Sequence, residues 1–198
     1  MFTFAAIRQT TPEIRGDGLV LRSPRQNDYS AWRKLRLDSR TFLMPFEPRW
    51  SEAELSARSF AARVRRNRRD ALYGTEFSLF IFTQSGRLST LVGGMTLSNV
   101  RRRAFQNVTL GYWMGEQFAG KGIMTRSVAL ILPFVFDSLN LHRIEAACLP
   151  DNTASRRVLS ANGFREIGIA ENYLQINGEW RDHMLFALTR EHYDNLAG

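Results

Sequence analysis

The segment MGEQFAGKGIMTRSV, residues 114–128, constrains this chain most, because its glycines separate an apolar strand pattern from an apolar helix pattern. Gly120 and Gly122 occupy the last positions before the predicted helix, where glycine allows a sharp turn and a close approach to the backbone. The first turn of a helix also presents unpaired N–H groups and a partial positive charge. The segment therefore predicts a strand–turn–helix unit whose turn can bind a phosphate or pyrophosphate.

The hydrophobic pattern of the chain indicates the order strand, two helices, three strands, helix, strand, helix, two strands. The first strand is GLVLRS, residues 18–23, and the last two strands flank Asn177-Gly178, a dipeptide typical of a hairpin turn. This order predicts about seven strands in a mixed α+β fold, with one crossover through the long helix that follows the glycine segment. We expect residues 1–198 to form a single domain.

Local signals predict where the helices begin and end. The SEAE sequence from Ser51 to Glu54 is a capping box that should open the second helix. The long helix should run over about residues 122–139, with a kink at Pro133 because proline removes one backbone hydrogen bond. Asp151 should cap the following short helix, and Gly163 should end it.

The number of cysteines and the length of the apolar runs indicate the cellular compartment of the protein. Cys148 is the only cysteine, so the chain can form no internal disulfide, which suits a reducing cytoplasm. Residues 1–7 lack the basic leader and long apolar region of a signal peptide. The longest apolar run, residues 128–136, is far shorter than a membrane span. We therefore expect a cytoplasmic protein with no membrane partner.

The chain carries a formal net charge of +8, and almost all of its positive charge is arginine. Two clusters stand out: residues 63–69, which hold five arginines, and Arg101 to Arg103. They are consistent with simple solubility, or with attraction to an anionic partner such as a polyphosphate cofactor, RNA or a ribosome. Neither cluster contains aromatic residues that could stack on bases, so the clusters alone indicate nucleic-acid binding only weakly.

Two common phosphate-binding motifs do not fit the glycine segment. A dinucleotide-binding unit places G-x-G-x-x-G early in a βαβ unit, whereas these glycines follow four predicted strands and no third glycine follows. A Walker A loop requires Lys-Ser or Lys-Thr, whereas Lys121 is followed by Gly122. A phosphate bound by residues 114–128 would therefore need a loop of a different type from these two motifs.

The second half of the chain resembles the GNAT superfamily of N-acetyltransferases, and within it the RimJ/RimL group, with RimJ-type members most similar. The resemblance covers about residues 18–189, and its motifs occur in the family's order. The shared residues are Gly111-Tyr112, Gly120 to Met124, His142 to Ile144, Asn152 with Ser155, Gly163-Phe164, and Gly178 with Trp180 to His183. The Glu47-Pro48 loop and this last block are closest to the RimJ type.

The resemblance implies the GNAT fold: a single mixed, mostly antiparallel central sheet of about seven strands, flanked by helices. It also implies two strands splayed apart at the acetyl-CoA site, with acetyl-CoA as co-substrate and no metal. The residues implied for acetyl-CoA binding are Trp113, Met114, Ala119, Gly120, Lys121, Gly122, Ile123, Met124, Thr125, Asn152 and Ser155. Ala119 departs from the usual Gln or Arg, and Met124 stands where many relatives have Gly or Ala. Backbone N–H groups from Gly120 to Thr125 should therefore form the phosphate seat.

The candidate catalytic residues are Ser155, as general acid for the leaving thiolate, and Glu47 and Glu171 as bases for the acceptor amine. Backbone N–H groups near Trp113 and Met114 should hydrogen-bond the thioester oxygen. Asp182 is a third carboxylate, for which we favour a structural pairing with Arg181 or a neighbouring strand. Each role has a simpler alternative: Ser155 as an exposed helix serine, Asn152 as a cap, and Glu171 as a solvated surface residue.

An N-terminal acceptor places a modest demand on the base. The pKa of an α-amine is about 2.5 units below that of lysine, so the neutral α-amine is about 3.4 kcal/mol easier to reach at neutral pH. The resemblance implies transfer to the N-terminal α-amine, with alanine expected, of a ribosomal protein. We expect direct transfer rather than an acetyl-Cys148 intermediate, because Cys148 lies in an apolar strand with no nearby cue for a lowered pKa. The alternatives are acetylation of a small amine, such as an antibiotic, polyamine or amino acid, and a non-catalytic acetyl-CoA-binding ribosome-assembly factor. A ribosome contact, an RNA contact through the arginine clusters and a homodimer are further expectations.

Overall fold

Strands and helices alternate along the chain in the computed structural model, which describes residues 12–86 and 88–196. The strands are β1 (Glu13–Gly16), β2 (Leu19–Arg22), β3 (Phe77–Ser85), β4 (Leu88–Arg101), β5 (Asn107–Met114), β6 (Arg143–Cys148), β7 (Arg165–Ile176) and β8 (Glu179–Thr189). The helices are α1 (Tyr29–Asp38), α2 (Arg40–Leu43), α3 (Ala57–Tyr73), α4 (Ile123–Pro133), α5 (Thr153–Ala161) and α6 (Arg190–Leu196).

All eight strands join in one sheet with the order β1-β2-β3-β4-β5-β6-β8-β7. Neighbouring strands are antiparallel except β5 and β6, which are parallel and are connected through α4. The mixed, mostly antiparallel sheet flanked by helices is the architecture predicted from the sequence. The Asn177-Gly178 hairpin is also confirmed, with positive φ angles of 46° and 94° at the two turn residues.

The sheet has one strand more than the seven predicted, because β1 pairs with β2 through a turn at Asp17 and Gly18. Both turn residues have positive φ, 52° and 71°, as a tight two-residue hairpin turn requires. The strand escaped prediction because its four residues, EIRG, alternate between exposed and half-buried positions and carry only one large apolar side chain.

Two hydrophobic clusters cover the two faces of the sheet. On one face, α1 and α3 pack against β2, β3 and β4, with the Trp32 and Phe60 rings 4.8 Å apart. On the other face, α4 and α5 pack against the strands through residues such as Val128, Ile131 and Leu159. Successive residues of a strand point to opposite faces, so β2, β3 and β4 each contribute residues to both clusters.

Three predicted helix boundaries need correction. The Ser51–Glu54 capping box is present, but it opens a short 3-10 helix (Glu52–Leu55); α3 has its own cap, the Ser56 hydroxyl, which accepts from the Ser59 N–H. Asn152, not Asp151, caps α5, because α5 begins at Thr153 and the Asn152 Oδ1 reaches the N–H of Ser155.

The long helix does not remain an α-helix to residue 139. It ends as an α-helix at Pro133 and continues as a π-helix (Phe134–Ser138), which closes with a hydrogen bond from the Leu139 N–H to the Phe134 carbonyl. Proline has no N–H, so the turn that contains Pro133 lacks one helical bond, and the wider π pattern follows directly after it.

The parallel pair β5–β6 separates at its C-terminal end. Pairing extends only from Asn107 with Arg143 to Leu110 with Ala146, although β5 continues to Met114 and β6 to Cys148. Beyond that point β5 pairs only with β4 and β6 only with β8. A gap, here called the splayed cleft, therefore opens between residues 111–114 of β5 and residues 147–148 of β6.

No helix within residues 12–86 and 88–196 is long and apolar enough to cross a bilayer. The expectation about a leader at residues 1–7 concerns positions outside the described residues.

Candidate active site

The loop that leads from β5 into α4 has the geometry of an anion seat. Gly120 and Gly122 adopt left-handed conformations, with φ of 72° and 68°, which glycine reaches without strain. No atom lies within 4 Å of where a Cβ would project from either glycine, so the space before them is open. Within the described parts of the chain, the N–H groups from Gly120 to Thr125 have no hydrogen-bond acceptor.

The side chains around this loop divide into outward and inward groups. Ile123 and Met124 are buried in the core, so only their backbone N–H groups can contact a ligand. The Lys121 ammonium lies over the Phe118 ring at 6.0 Å, on the exposed side of the loop. Ala119 ends a short 3-10 turn, with its N–H bound to the Glu116 carbonyl. The seat is thus formed by backbone, with Lys121 as a nearby positive charge.

The end of β5 forms one wall of the splayed cleft and is fixed from behind by two glycines. Gly93 and Gly94 of β4 pair with Met114 and Trp113. A Cβ on Gly93 would lie 2.5 Å from the Trp113 carbonyl oxygen, and one on Gly94 would lie 2.7 Å from the Trp113 indole nitrogen. The backbone of β5 can therefore approach β4 closely here, and its other edge faces the cleft.

Tyr112 and Ser155 meet across the cleft. The Tyr112 hydroxyl lies 2.8 Å from the Ser155 Oγ and 3.3 Å from the Ser155 carbonyl oxygen. This contact joins two residues that are 43 positions apart in the chain. Burial raises the pKa of Tyr112 well above its ordinary value, so it stays protonated at neutral pH. A protonated Tyr112 can donate to Ser155, which leaves the serine hydroxyl proton available for a ligand.

Cys148 lies beside this hydroxyl pair, at the end of β6, and is buried. Burial raises the pKa of the Cys148 thiol, although a hydrogen bond with Ser155 acts in the opposite direction. A thiol whose pKa is raised is mostly un-ionised at neutral pH and is a poor nucleophile.

Asn152 serves as the α5 cap, and its Oδ1 accepts from the Ser155 N–H at 3.0 Å. This bond places the first turn of α5, and with it Ser155, against the cleft. Whether the Asn152 side chain also contacts a ligand remains a prediction.

Glu47 lies on the opposite face of the sheet and is held by Arg36 of α1. The two groups form a bidentate pair, with Nη–Oε distances of 2.8 and 2.5 Å, and both side chains are largely buried. The Arg36 guanidinium also lies over the rings of Trp113, at 4.9 Å, and Trp50, at 5.0 Å. Because Trp113 is the neighbour of Tyr112 on β5, Glu47 and Ser155 approach the end of β5 from opposite faces.

The other two carboxylates are placed differently. Glu171 lies exposed in an irregular segment of β7, the edge strand, and forms no hydrogen bond or ion pair with any described residue. Asp182 of β8 accepts a 2.8 Å hydrogen bond from the Asn172 N–H of β7, the structural pairing with a neighbouring strand that the sequence favoured. Asp182 also lines a 350 Å³ surface pocket with Pro150 and Asp151.

The two arginine clusters lie in different places. Arg101 pairs with Asn107 at the start of β5, the end opposite the glycine loop. Arg102 donates to the Leu139 carbonyl. The α3 cluster lies on the Glu47 face, where Arg63 packs over the Trp32 ring at 5.2 Å.

Sequence reasoning identified the glycine loop and Ser155 but assigned no role to Tyr112 or Arg36. Gly111-Tyr112 was noted as a motif, which is the signal that could have drawn attention to the tyrosine. Nothing local to Arg36 marks it, because its partner Glu47 is 11 residues away in an irregular loop. Within the described residues no group of three or more side chains is arranged to hold a metal ion.

Comparisons with known proteins agree with this arrangement. The family model for an acetyltransferase (GNAT) domain matches residues 18–165. The [ribosomal protein uS5]-alanine N-acetyltransferase of Escherichia coli is 33% identical over 186 residues, covering 92% of this chain and 94% of that enzyme. A shorter match, to the probable N-acetyltransferase YjcK of Bacillus subtilis, is 42% identical but spans 57% of this chain and 61% of that protein.

Solved structures also show similarity to N-acetyltransferases. Mycobacterium smegmatis RimJ, in complex with CoA-disulfide, superposes with a TM-score of 0.84 at 32% identity, covering 97% of this chain and 95% of that one. The ribosomal-protein-S5-alanine acetyltransferase of Vibrio fischeri also gives a TM-score of 0.84, at 28% identity, with coverage of 92% and 98%. With its open sheet, splayed cleft and glycine loop, the chain belongs to the GNAT acetyltransferase family and is an N-acetyltransferase with relatives of the RimJ type.

Proposed function

We propose that this protein transfers the acetyl group of acetyl-CoA directly to the N-terminal α-amine of a ribosomal protein, with alanine as the expected acceptor residue. One arrangement carries the proposal: β5 borders the splayed cleft, carries Tyr112 bonded to Ser155, and leads into the loop whose N–H groups have no acceptor among the described residues, with Glu47 on its other face. The choice of acceptor rests on the relatives that are named as ribosomal-protein-alanine N-acetyltransferases.

The loop residues fit the pyrophosphate of acetyl-CoA. The N–H groups from Gly120 to Thr125, which have no acceptor among the described residues, lie at the start of α4, where the helix dipole also favours negative charge. The open space before Gly120 and Gly122 lets an anion approach the backbone, and Lys121 adds a cation. A bulky side chain at residue 119 is not needed for this seat, which agrees with alanine in that position.

When bound, acetyl-CoA supplies a thioester carbonyl and a thiolate leaving group. Backbone N–H groups on the cleft edge of β5, near Trp113 and Met114, are the donors available for the thioester oxygen. Ser155 would donate its hydroxyl proton toward the departing sulfur. The 2.8 Å contact allows either hydroxyl to donate, and with Tyr112 as donor the Ser155 proton would be free for the sulfur; burial raises the pKa of Tyr112, which keeps that donor protonated.

The acceptor amine must lose a proton, and Glu47 is our first candidate to receive it. Arg36 engages both Glu47 oxygens, but a carboxylate has about four lone-pair sites, so each oxygen can still accept from an ammonium. Glu171 is the second candidate and would act through water, since it lies exposed on the edge strand. A weak base suffices, because an α-amine with a pKa of about 7.7–8.0 is partly neutral at pH 7.

Direct transfer is favoured over an acetyl-cysteine intermediate because burial raises the pKa of the Cys148 thiol. The thiol is therefore a packing group near the sulfur site rather than a nucleophile.

Intact-protein mass spectrometry tests the proposal. Unacetylated ribosomal proteins are incubated with the enzyme and acetyl-CoA, and a single acetyl group on one protein's α-amine is the expected result. Acetylation of small amines but of no ribosomal protein would favour the small-molecule alternative. Acetyl-CoA binding without turnover on any acceptor would favour a binding protein, and in that case Ser155→Ala would change nothing measurable.

A further inference from the structure

A second pocket lies next to Glu47, on the face of the sheet opposite Ser155. It has a volume of 280 Å³ and is lined by Arg40, Met44, Glu47, Pro48, Arg49, Trp50 and Asn177. The loop that holds Glu47 is tied to the β7–β8 hairpin, because the Asn177 N–H donates to the Glu47 carbonyl at 3.0 Å. The pocket is therefore bounded by two chain segments that contact each other.

The charges in this pocket do not balance. Its one carboxylate, Glu47, is already bound by Arg36 through both oxygens. Arg40 and Arg49 also line the pocket, and neither forms an ion pair with a carboxylate in residues 12–86 or 88–196. Two arginines thus line the same concave space, and neither is paired with a carboxylate among the described residues.

Both arginines are positioned by other contacts. The Arg40 guanidinium packs over the Trp50 ring at 5.2 Å, and Arg49 donates to the Asn177 carbonyl at 3.4 Å. Guanidinium groups held in this way lose little conformational freedom when they bind a planar carboxylate. Their orientation is consistent with a binding role rather than with a purely solvated surface.

A third arginine adds to the positive field. Arg63 of α3 lies close enough for its charge to interact with Arg36 and Glu47, and it too has no carboxylate within ion-pair distance among the described residues. Burial lowers the pKa of Arg63, and the positive charges of Arg36 and Arg66 lower it further. The carboxylates of Glu54 and Glu47 act in the opposite direction, so Arg63 adds only part of its charge to that of the two lining arginines.

We propose that this pocket, here called the Arg40/Arg49 subsite, binds an aspartate or glutamate side chain within the first few residues of the acceptor protein. The inference rests on the proposed function, because it assumes that a polypeptide N-terminus reaches Glu47. The α-amine then lies at the Glu47 end of the pocket, and the acidic side chain lies against Arg40 and Arg49. The enzyme accordingly selects acidic N-terminal segments over neutral ones.

A carboxylate fits this subsite better than RNA does. Single-stranded nucleic acid gains much of its affinity by stacking bases on aromatic rings. The Trp50 ring is already covered by the Arg36 and Arg40 guanidinium groups, at 5.0 and 5.2 Å. A single carboxylate can accept hydrogen bonds from two guanidinium groups through its two oxygens, which suits the two arginines that line this pocket.

A peptide series tests the subsite. Ten-residue peptides begin with alanine and carry one aspartate at the second, third or fourth position; each is paired with an otherwise identical asparagine peptide. At the best position we expect kcat/KM to be at least about tenfold higher for aspartate, the effect of one hydrogen-bonded charge. The Arg40→Gln/Arg49→Gln variant should abolish this preference. Arg101→Gln, at the far end of β5, should retain it.

Binding measurements keep the subsite test separate from the acetyltransfer test. Calorimetry with the N-acetylated product peptides, in the presence of CoA, should show the same aspartate preference without requiring turnover. If no peptide is acetylated but the binding preference is present and depends on Arg40 and Arg49, the subsite stands and the proposed reaction fails. Equal affinity for aspartate and asparagine peptides overturns the subsite. So does an RNA oligomer that loses affinity in the double variant while the peptide preference is unchanged.

Discussion

Replacing Gly120 with alanine should weaken CoA binding by more than its effect on folding explains. Gly120 has a φ of 72°, a left-handed conformation that costs an L-residue about 1–2 kcal/mol. No atom lies within 4 Å of the new Cβ, so the stability cost should be conformational only. For a protein of this size that cost lowers Tm by about 2–8 °C.

The expected loss of CoA affinity follows from the direction in which the new alanine methyl group points. It enters the open space in front of the loop, where we place the pyrophosphate, and it should displace at least one backbone hydrogen bond to a charged oxygen. Such a bond contributes about 1.5–3 kcal/mol, so Kd for CoA should rise about 10- to 100-fold.

Gly86→Ala is the matched control. Gly86 also has a left-handed φ, of 59°, and open space around its Cβ position, but it lies in the β3–β4 turn. Both variants should lose a similar amount of Tm in thermal melts, and only Gly120→Ala should lose CoA affinity in calorimetry. If Gly120→Ala binds CoA as the wild type does, the loop is a plain turn and the phosphate seat is wrong.

Three further predictions concern the hydroxyl pair and its neighbours. Ser155→Ala should lower kcat by about 100-fold or more, the usual size of an acid–base contribution. It should leave CoA affinity unchanged, since Tyr112 keeps the residue-155 carbonyl as an acceptor. The control Ser160→Ala, at an exposed position of the same helix, should change neither kcat nor CoA affinity. With an N-terminal alanine peptide, kcat/KM should rise with pH through the amine pKa of about 7.7–8.0. It should then stay level to about pH 10, because burial raises the pKa of Tyr112 and so keeps its proton to higher pH; a decline that begins below about pH 9 would contradict this. Cys148→Ala should retain turnover. In the native protein the Cys148 thiol should react slowly with Ellman's reagent until the protein is unfolded, because burial raises the pKa of the thiol. An inactive Cys148→Ala variant with wild-type Tm would instead indicate an acetyl-cysteine intermediate.

Local sequence signals predicted the parts of the fold that depend on local physics. Asn177-Gly178 marks its hairpin because both residues tolerate positive φ. Gly163 likewise ends α5 with a φ of 77°. The glycines at 120 and 122 fall in the same class, since the conformation they adopt is one that few other residues allow.

The parts that sequence did not predict depend on contacts between distant residues. The Tyr112–Ser155 hydrogen bond joins two strand–helix units that meet only in the folded sheet. The cap of α5 was assigned to Asp151 because aspartate and asparagine cap almost equally well, and only the position of the helix start selects Asn152. β1 forms because its backbone pairs with the edge of β2, not because the sequence EIRG has a strong strand preference.

The close approach of β4 to β5 at Gly93 and Gly94 has a consequence for how mutations would be tolerated. Neither glycine lies on the cleft, yet any side chain there would collide with the Trp113 backbone or indole. At Gly93 the collision is with backbone and would be relieved most easily by moving β5 away from β4, toward β6, which would narrow the cleft. At Gly94 the nearest atoms are the Trp113 indole and the Leu79 carbonyl oxygen of β3. In a saturation screen for acetyl-CoA-dependent growth or activity, these two positions should be as intolerant as the phosphate loop. A search for cofactor-contacting residues alone would overlook them.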